Sequence, residues 1–385
     1  MDHDELKKIR IEIDRTNRSL TSLFERRMEL VRSVAEYKRE RGLPVYDAAR
    51  EKEVIEQCSG WVRDPEYRGG CLWLMDKVME ASRRYENEKI SAEEGARHRA
   101  ASAGTPYRRV GYQGVPGSYS HQALRGYFSG QEVSESSFKL FGDVVAAVVG
   151  GEADCGVLPI ENSSTGGILE VYDLLRKNDC RIVGEKIVKV DHNLMAVKGA
   201  RMEDIRVVYS HPQGFSQCAE FFGGHREWEL VPYFNTARSA KMVSEEKDMT
   251  KAAVASREAA ELYGLEILAP RINFNSRNYT RFVIIAAGDR HDDEADKITV
   301  VIGLRHEPGS LCKALACFYD NGLNLTNIES RPMEGGSWEY FFHMDFSGHL
   351  KEKNVARAVA ELKKNTSYLK ILGNYRADRG RQPAF

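Results

Sequence analysis

Between Leu6 and Arg41 the chain contains neither proline nor glycine. Apolar residues recur through this run at three- and four-residue spacing: Ile9, Ile13, Leu20, Leu23, Phe24, Leu30, Val31 and Val34. The periodicity predicts one helix of roughly 50 Å, at about 1.5 Å per residue. Gly42 and Pro44 end it. Two shorter helices are expected, from Asp47 to Cys58 and from Gly70 to Asn87. So long a helix cannot bury its apolar stripe within a small domain. Pairing with another copy of the chain is the physical remedy, so a homodimer or higher homo-oligomer is expected.

At 385 residues the chain is too long for one ordinary domain. A helical domain over 1–90 is followed by a linker over 91–106, rich in Ala, Gly, Ser and charge. From Arg108 short β-like runs alternate with amphipathic stretches, which predicts an α/β domain over 107–287. The runs include Arg109–Tyr112, Cys155–Ile160, Arg181–Ile187, Val207–Tyr209, Ala252–Ala255 and Arg281–Ala287. After an Asp-rich joint, residues 297–376 follow the order βαββαβ, the α+β ferredoxin-like unit. Arg376–Phe385 is expected to be a loose tail.

The formal net charge is -1, which gives no global attraction to nucleic acid or anionic membrane. No run of about eighteen apolar residues is present, and the acidic N-terminus lacks an apolar signal segment. The seven cysteines are scattered without a CxxC pair, which argues against a zinc site and for reduced thiols in a cytoplasmic protein.

Arg27 and Lys38 lie eleven residues apart, nearly on one helical face and roughly 16 Å apart along the axis. They are spaced to grip a small dianion. Arg10 lies roughly 25 Å from Arg27 along the same helix, too far to join them unless it reaches the site of a partner chain. Spacing alone equally describes solvated charges. Further residues add to the pattern: Asp47, Arg50 and Glu51 on the second helix, and Ser82 and Glu86 one turn apart on the third. The stretches IRIEIDRTNRSLTSLFERRMEL, VAEYKRERGLPVYDAAREKEV and EASRRYE resemble the all-helical chorismate mutase family over residues 5–90. The resemblance implies an intertwined helical dimer. Arg10 of the partner and Arg27 would hold the carboxylates of chorismate, and Lys38 would donate to its ether oxygen. Asp47 and Glu51 would hold the hydroxyl region, Arg50 would support the wall, and Ser82 would contact a carboxylate or hydroxyl. The rearrangement is pericyclic and needs no cofactor or metal. It needs a compact conformer and stabilised charge on the ether oxygen. Glu86 departs from the glutamine of many relatives, and a glutamate donates a hydrogen bond only when protonated.

Three groups of residues stand out in the α/β segment. GYQGVPGSYSH, from Gly111 to His121, has GxxGxxG spacing, so it is not the dinucleotide fingerprint. It fits a turn that offers backbone N–H groups to a carboxylate. LPIENSSTGG holds Glu161, Asn162, Ser163, Ser164 and Thr165 and is expected to open a helix, either as an anion site or as simple capping. SHPQGFSQC, with Ser210 and Gln217, and NYTRF, with Thr280 and Arg281, sit at strand ends. These motifs, with FNTARSA and AVASREAAELYGL, resemble prephenate dehydratase over residues 107–287. The resemblance implies two α/β lobes, similar in shape to periplasmic binding proteins, with the site between them. Thr280 would meet the departing ring hydroxyl. Arg281 would anchor a carboxylate or brace the cleft. Asn162, Ser163, Ser164, Thr165, Ser210 and Gln217 would donate hydrogen bonds, with Glu161 orienting them.

HEPGSLCKAL, containing Gly309, Ser310 and Leu311, and NIESRP, containing Glu329, Ser330, Arg331 and Pro332, resemble the amino-acid-sensing ACT domain. There the two segments of adjacent subunits bind phenylalanine as a feedback inhibitor. Chorismate, prephenate and phenylalanine are thus the expected small-molecule partners. Two other readings are a regulatory binding protein without turnover and a mutase coupled to a prephenate dehydrogenase. The cations with Thr280 argue against the first, and the missing GxGxxG argues against the second.

Overall fold

A computed structural model describes residues 3–41, 48–91, 107–288, 292–332 and 340–379. The side chains of 3, 39–40, 48–49, 51–52, 80, 83–84 and 87–91 are outside that description. The chain divides into two compact units, Met1–Ala100 and Ala101–Phe385.

Among the described residues the first unit has three α-helices: α1 (His3–Glu40), α2 (Ala48–Trp61) and α3 (Arg68–Ser91). Asp64 caps a short 3-10 turn before α3, its side chain accepting from Glu66 N at 3.0 Å. Val31, Ala35, Cys58 and Met79 are buried where the helices meet. The rest of the α1 stripe is not. Leu23 is 64% and Leu30 65% exposed, and Ile13, Leu20 and Val34 are exposed as well. Within one chain the long helix therefore leaves most of its apolar face uncovered.

The second unit begins with a lobe of alternating strands and helices: β1 (Arg109–Gln113), α4 (Tyr119–Tyr127), β2 (Ser134–Phe138), α5 (Phe141–Val149), β3 (Cys155–Asn162), β4 (Gly166–Gly167), α6 (Leu169–Lys177) and β5 (Cys180–Lys189). A second lobe follows: β6 (Asn193–Ala196), β7 (Val207–Ser210), α7 (Pro212–Gln217), α8 (Ala219–Gly223), β8 (Glu229–Pro232), α9 (Thr236–Glu246), β9 (Lys251–Ala255), α10 (Arg257–Tyr263) and β10 (Glu266–Ala269). The chain then returns to the first lobe as β11 (Tyr279–Ala287), so the sheet orders are β2-β1-β3-β11-β5 and β10-β6-β9-β7-β8. Two antiparallel segments cross between the lobes. They are tied by Val190 N to Asn278 O and Ile272 N to His192 O, both 2.8 Å.

The C-terminal part is β12 (Lys297–Gly303), α11 (Ser310–Asp320), β13 (Leu325–Pro332), β14 (Tyr340–Ser347), α12 (Lys353–Asn365) and β15 (Tyr368–Tyr375), with sheet order β13-β14-β12-β15. Strand alternation divides its two faces. Ile298, Val300 and Ile302 pack with residues of α11 and α12, including Phe318 and Leu362. Val301, Phe341, Leu372 and Tyr375 join the core of the first lobe, with Val171, Tyr172 and Leu175 of α6. β15 runs so close to β5 that a Cβ on Gly373 would overlap the carbonyl oxygen of Ile182. Lys370 Nζ donates to the carbonyls of Leu175, Arg176 and Asn178 at 3.0, 3.2 and 2.6 Å, satisfying the end of α6.

Two expectations change. The residues after Asn162 do not open a helix: Gly166–Gly167 pair with β3, and α6 starts only at Leu169. The described start of the tail is also not loose. Asp378 Oδ2 accepts from Ile187 N at 2.8 Å, and Asp378 N donates to Glu185 Oε1 at 3.1 Å.

His343 of β14 is buried at this junction, its ring 4.6 Å from that of Tyr172, with neither nitrogen hydrogen-bonded among the described residues. Burial lowers its pKa to about 4. The unfolded chain, with a histidine pKa of about 6.5, binds this proton first. His343 therefore contributes stability above that value, which is lost as the pH falls toward 4. Denaturant titrations should show its share falling by about 2 kcal/mol between pH 7 and pH 5. His343→Phe should lose that part of the slope.

Candidate active sites

In the helical unit α1 and α3 bring four of the expected residues together. Arg27 Nη1 donates to Ser82 Oγ and, at 3.4 Å, to the carbonyl of Val78. Lys38 Nζ lies 3.0 Å from Glu86 Oε2. Ser82 and Glu86 are both buried. Burial lowers the pKa of the Arg27 guanidinium, and the charge of Glu86 opposes that shift. Two cations and two hydrogen-bonding groups thus share one helix–helix seam. Arg10 is exposed near the start of α1, and Arg50 is exposed on α2, where it donates to Glu53 at 2.6 Å. Asp47 lies outside the described residues, as does the side chain of Glu51.

In the α/β unit the hub is Asn162, the last residue of β3. Its Oδ1 accepts from Ser164 N, Thr165 N and Thr165 Oγ1 at 3.0, 3.2 and 3.3 Å, which folds the loop back on itself. Its two Nδ2 protons are shared among three acceptors, Asn278 Oδ1 at 2.8 Å, Thr280 Oγ1 at 2.9 Å and Tyr279 O at 3.1 Å. Thr280 Oγ1 accepts from Asn162, and no acceptor among the described residues takes its own proton, which leaves that proton to donate. The second lobe adds Gln217, whose Oε1 accepts from Asn278 Nδ2 at 3.1 Å and lies 2.8 Å from His192 Nε2. Gln213 Nε2 donates across the lobes to Thr165 Oγ1 at 2.9 Å. Asn162, Gln217, Asn278 and Thr280 are all buried.

Other expected donors are already engaged. Ser163 Oγ donates to Arg277 O at 3.0 Å and accepts from Tyr279 N at 2.9 Å. Ser164 Oγ accepts from Asn275 Nδ2 at 3.1 Å, and Ser210 Oγ donates to Val254 O at 3.1 Å. In the glycine turn, Gly117 N donates to His121 Nδ1 at 3.1 Å, and the turn packs against α10, where Ser256 Oγ donates to Gly117 O.

In the C-terminal part α11 starts at Ser310 after Gly309, whose φ of +80° suits glycine. Leu311 is exposed. Alternation along β13 turns Glu329 and Arg331 toward the first lobe. Arg331 Nη2 donates to Asp173 Oδ2 at 2.6 Å, and a Cβ on Gly167 would lie 3.1 Å from the Glu329 carboxyl carbon. Ser330 and Pro332 are exposed.

Residues 9–87 match the family model for chorismate mutase type II, residues 110–290 that for prephenate dehydratase, and residues 298–364 that for the ACT domain. The bifunctional chorismate mutase/prephenate dehydratase of Aquifex aeolicus is 32% identical over 373 residues, 97% of this chain and 98% of that one. The chain belongs to the bifunctional chorismate mutase/prephenate dehydratase family. A solved prephenate dehydratase of Arthrobacter aurescens, in complex with L-Phe, is 31% identical with a TM-score of 0.66. It matches 72% of this chain and 92% of its own. A structure described as a quorum-quenching acylase is 33% identical with a TM-score of 0.65, over 71% of this chain and 100% of that one.

In this mutase–dehydratase, Arg281 does not share the face of Thr280. Its guanidinium lies 3.0 Å from Glu161, 3.4 Å from Glu185 and 2.9 Å from Asp345 of β14. The approach of Nη2 to Asp345 Oδ2 is a charge contact without hydrogen-bond alignment. Burial by itself would lower the Arg281 pKa, but Asp345, Tyr375, Glu185 and Tyr172 hold it well above the ordinary value. Lys297 completes the cluster 2.8 Å from Glu185. Arg281 and Glu161 therefore brace the junction between first lobe and ACT sheet. The alternative role for Arg281, a substrate-carboxylate anchor, finds no support in this placement.

Sequence reasoning missed Asn278 and His192. Asn278 stood inside the NYTRF motif, and Asp191-His192-Asn193 follows the predicted strand at Arg181–Ile187. Neither residue announces a partner, because Gln217, which meets both, comes from the second lobe.

Arg281→Met would leave the two buried carboxylates, Glu185 and Asp345, with Lys297 as their neighbouring cation. It should destabilise the α/β unit by about 3 kcal/mol. The check is the denaturant midpoint, with Arg281→Lys expected to fall between wild type and Arg281→Met.

Proposed function

We propose that residues 1–90 rearrange chorismate to prephenate, that residues 107–287 convert prephenate to phenylpyruvate, and that residues 297–376 bind phenylalanine as an inhibitor, with 91–106 as a linker. The observation that carries the dehydratase assignment is Thr280 held by Asn162 with its proton unclaimed.

The mutase step uses the seam of α1 and α3. Arg27 and Lys38 supply fixed positive charge to the carboxylates and to the ether oxygen, whose negative charge grows in the transition state. Ser82 and Glu86 fill the facing side. The uncovered stripe on α1 supports a homodimer, in which Arg10 of the partner chain completes the grip on the substrate. In the dehydratase step the ring C–O bond breaks and the hydroxyl takes a proton to leave as water. The electron pair of the bond to the departing carboxylate aromatises the ring and releases CO2. Thr280 donates its hydrogen bond to the leaving hydroxyl. Gln217, with the backbone turns around Asn162, holds the substrate. The seven cysteines, all free, suit reducing conditions and a cytoplasmic location.

The phenylalanine reading rests on the Gly309–Leu311 and Glu329–Pro332 segments and on the Arthrobacter dehydratase that carries L-Phe. β13 reaches the first lobe through Arg331 and Asp173, so a ligand that favours one arrangement of the sensor has a route to the dehydratase.

Purified protein given chorismate alone should form phenylpyruvate. Arg27→Ala should lower mutase turnover by about 10²-fold or more while sparing turnover of supplied prephenate. Thr280→Ala should do the reverse, with prephenate accumulating. Added phenylalanine should suppress the dehydratase step. Absence of phenylpyruvate from the wild-type reaction would overturn the assignment.

Glu86→Gln replaces the carboxylate beside Lys38 with an amide that can donate to the ether oxygen. It should raise mutase turnover while sparing turnover of supplied prephenate. A variant no faster than wild type would remove this position from the donor role.

A further inference from the structure

The buried polar groups between the lobes have a direction that can be followed from fixed points. Backbone N–H groups only donate. Ser164 N and Thr165 N both reach one oxygen of the Asn162 amide, so that atom is Oδ1, and the carbonyl of Tyr279 on the other side accepts from Nδ2. Nδ2 then requires an acceptor on Asn278, which is Oδ1 at 2.8 Å. The remaining Asn278 Nδ2 requires an acceptor on Gln217, which is Oε1 at 3.1 Å. That same oxygen lies 2.8 Å from His192 Nε2, so Nε2 must carry a proton.

The sequence ends at the opposite sides of two residues. His192 is buried and burial depresses its pKa, which keeps the ring neutral with Nδ1 unprotonated, 3.4 Å from Tyr119 OH. The Tyr119 hydroxyl donates elsewhere, to Asp191 O at 3.0 Å. On Gln217 both hydrogen bonds fall on Oε1. Its Nε2 has no partner among the described residues and keeps some contact with solvent.

We infer that His192 is a positioning residue of the dehydratase: with Asn278 it pins the Gln217 amide so that both N–H groups of Nε2 face acceptor atoms of the substrate. The inference rests on the dehydratase reading of this unit. Prephenate supplies suitable acceptors in its carboxylates and its hydroxyl. Without His192 the amide loses one of its two donors and can rotate, presenting oxygen to an anionic substrate part of the time.

The test uses the full chain, with dehydratase rates normalised to mutase turnover of the same preparation. His192→Leu should lower kcat/KM for prephenate by about 10- to 100-fold, the loss of one or two well-placed hydrogen bonds. His192→Gln, which keeps an N–H near the position of Nε2, should recover most of it. The double variant His192→Leu/Gln217→Leu should be no worse than Gln217→Leu alone, because one residue acts through the other. Independently of turnover, ¹⁵N spectra of labelled wild-type protein should show His192 as the neutral Nε2–H tautomer at pH 7. An Nδ1–H tautomer, additive losses in the double variant, or no recovery in His192→Gln would each overturn the inference. Because the tautomer is read without substrate, it stands apart from any failure of wild-type protein to consume prephenate.

Discussion

The pairing of β3 with β11 fixes everything else in the dehydratase unit. Asn162 stands opposite Thr280, and Glu161 stands opposite Arg281. Because successive side chains alternate across a sheet, one face of this pair receives the amide and the hydroxyl, and the other receives the carboxylate and the guanidinium. The first face looks to the cleft and the second to the ACT sheet. A slip of one residue would exchange them, placing an ion pair in the cleft and a threonine among buried carboxylates. The register shift just beyond, between Arg281 and Phe282, lets the strand leave that arrangement and continue as ordinary core with Val283 and Ile285.

On the proposed reading, the two faces let catalysis and regulation share a strand. Thr280 is held by Asn162 of β3, which Asn278 links to Gln217 of the second lobe, while its neighbour Arg281 is held by Asp345 of the sensor. Removing either charge leaves the rest of the buried cluster out of balance, Asp345 with Lys297 alone at 3.8 Å or Arg281 with Glu161 and Glu185, which is costly in a low-dielectric junction. The cluster thus makes the position of the ACT sheet energetically relevant to the residue beside the cleft. Around it, Val301, Phe341, Leu372 and Tyr375 merge the sensor with the first lobe into one core, so the sensor is not a tethered appendage within this unit.

The helical unit follows a different logic. Its candidate site is made by two helices whose polar residues face each other across a seam, and most of the apolar face of α1 is uncovered within one chain. Ala35 is almost fully buried while Leu30, five residues earlier, is 65% exposed. A chain that places leucines and isoleucines along that exposed face is built to have them covered by something else.

Local sequence determined the elements. Helix-compatible periodicity and the absence of Pro and Gly fixed α1, and the βαββαβ order was legible from alternating apolar runs between turn residues. The candidate residues were legible as motifs because they cluster in short polar stretches at strand ends. Which of them meet was decided by tertiary structure. Asn162 and Thr280 are joined across strands far apart in sequence, and Gln217 comes from a lobe inserted between those strands. Glu161 beside Asn162 and Arg281 beside Thr280 look like members of the same site when read along the chain, yet the pleat sends them to the opposite face. His192 carried no signal of its own, because its role depends on one oxygen of Gln217 and on hydrogen-bond directions set at Ser164 and Thr165. Short-range patterns encode what each segment becomes, but the direction in which a buried donor points exists only once its partners from distant segments are in place.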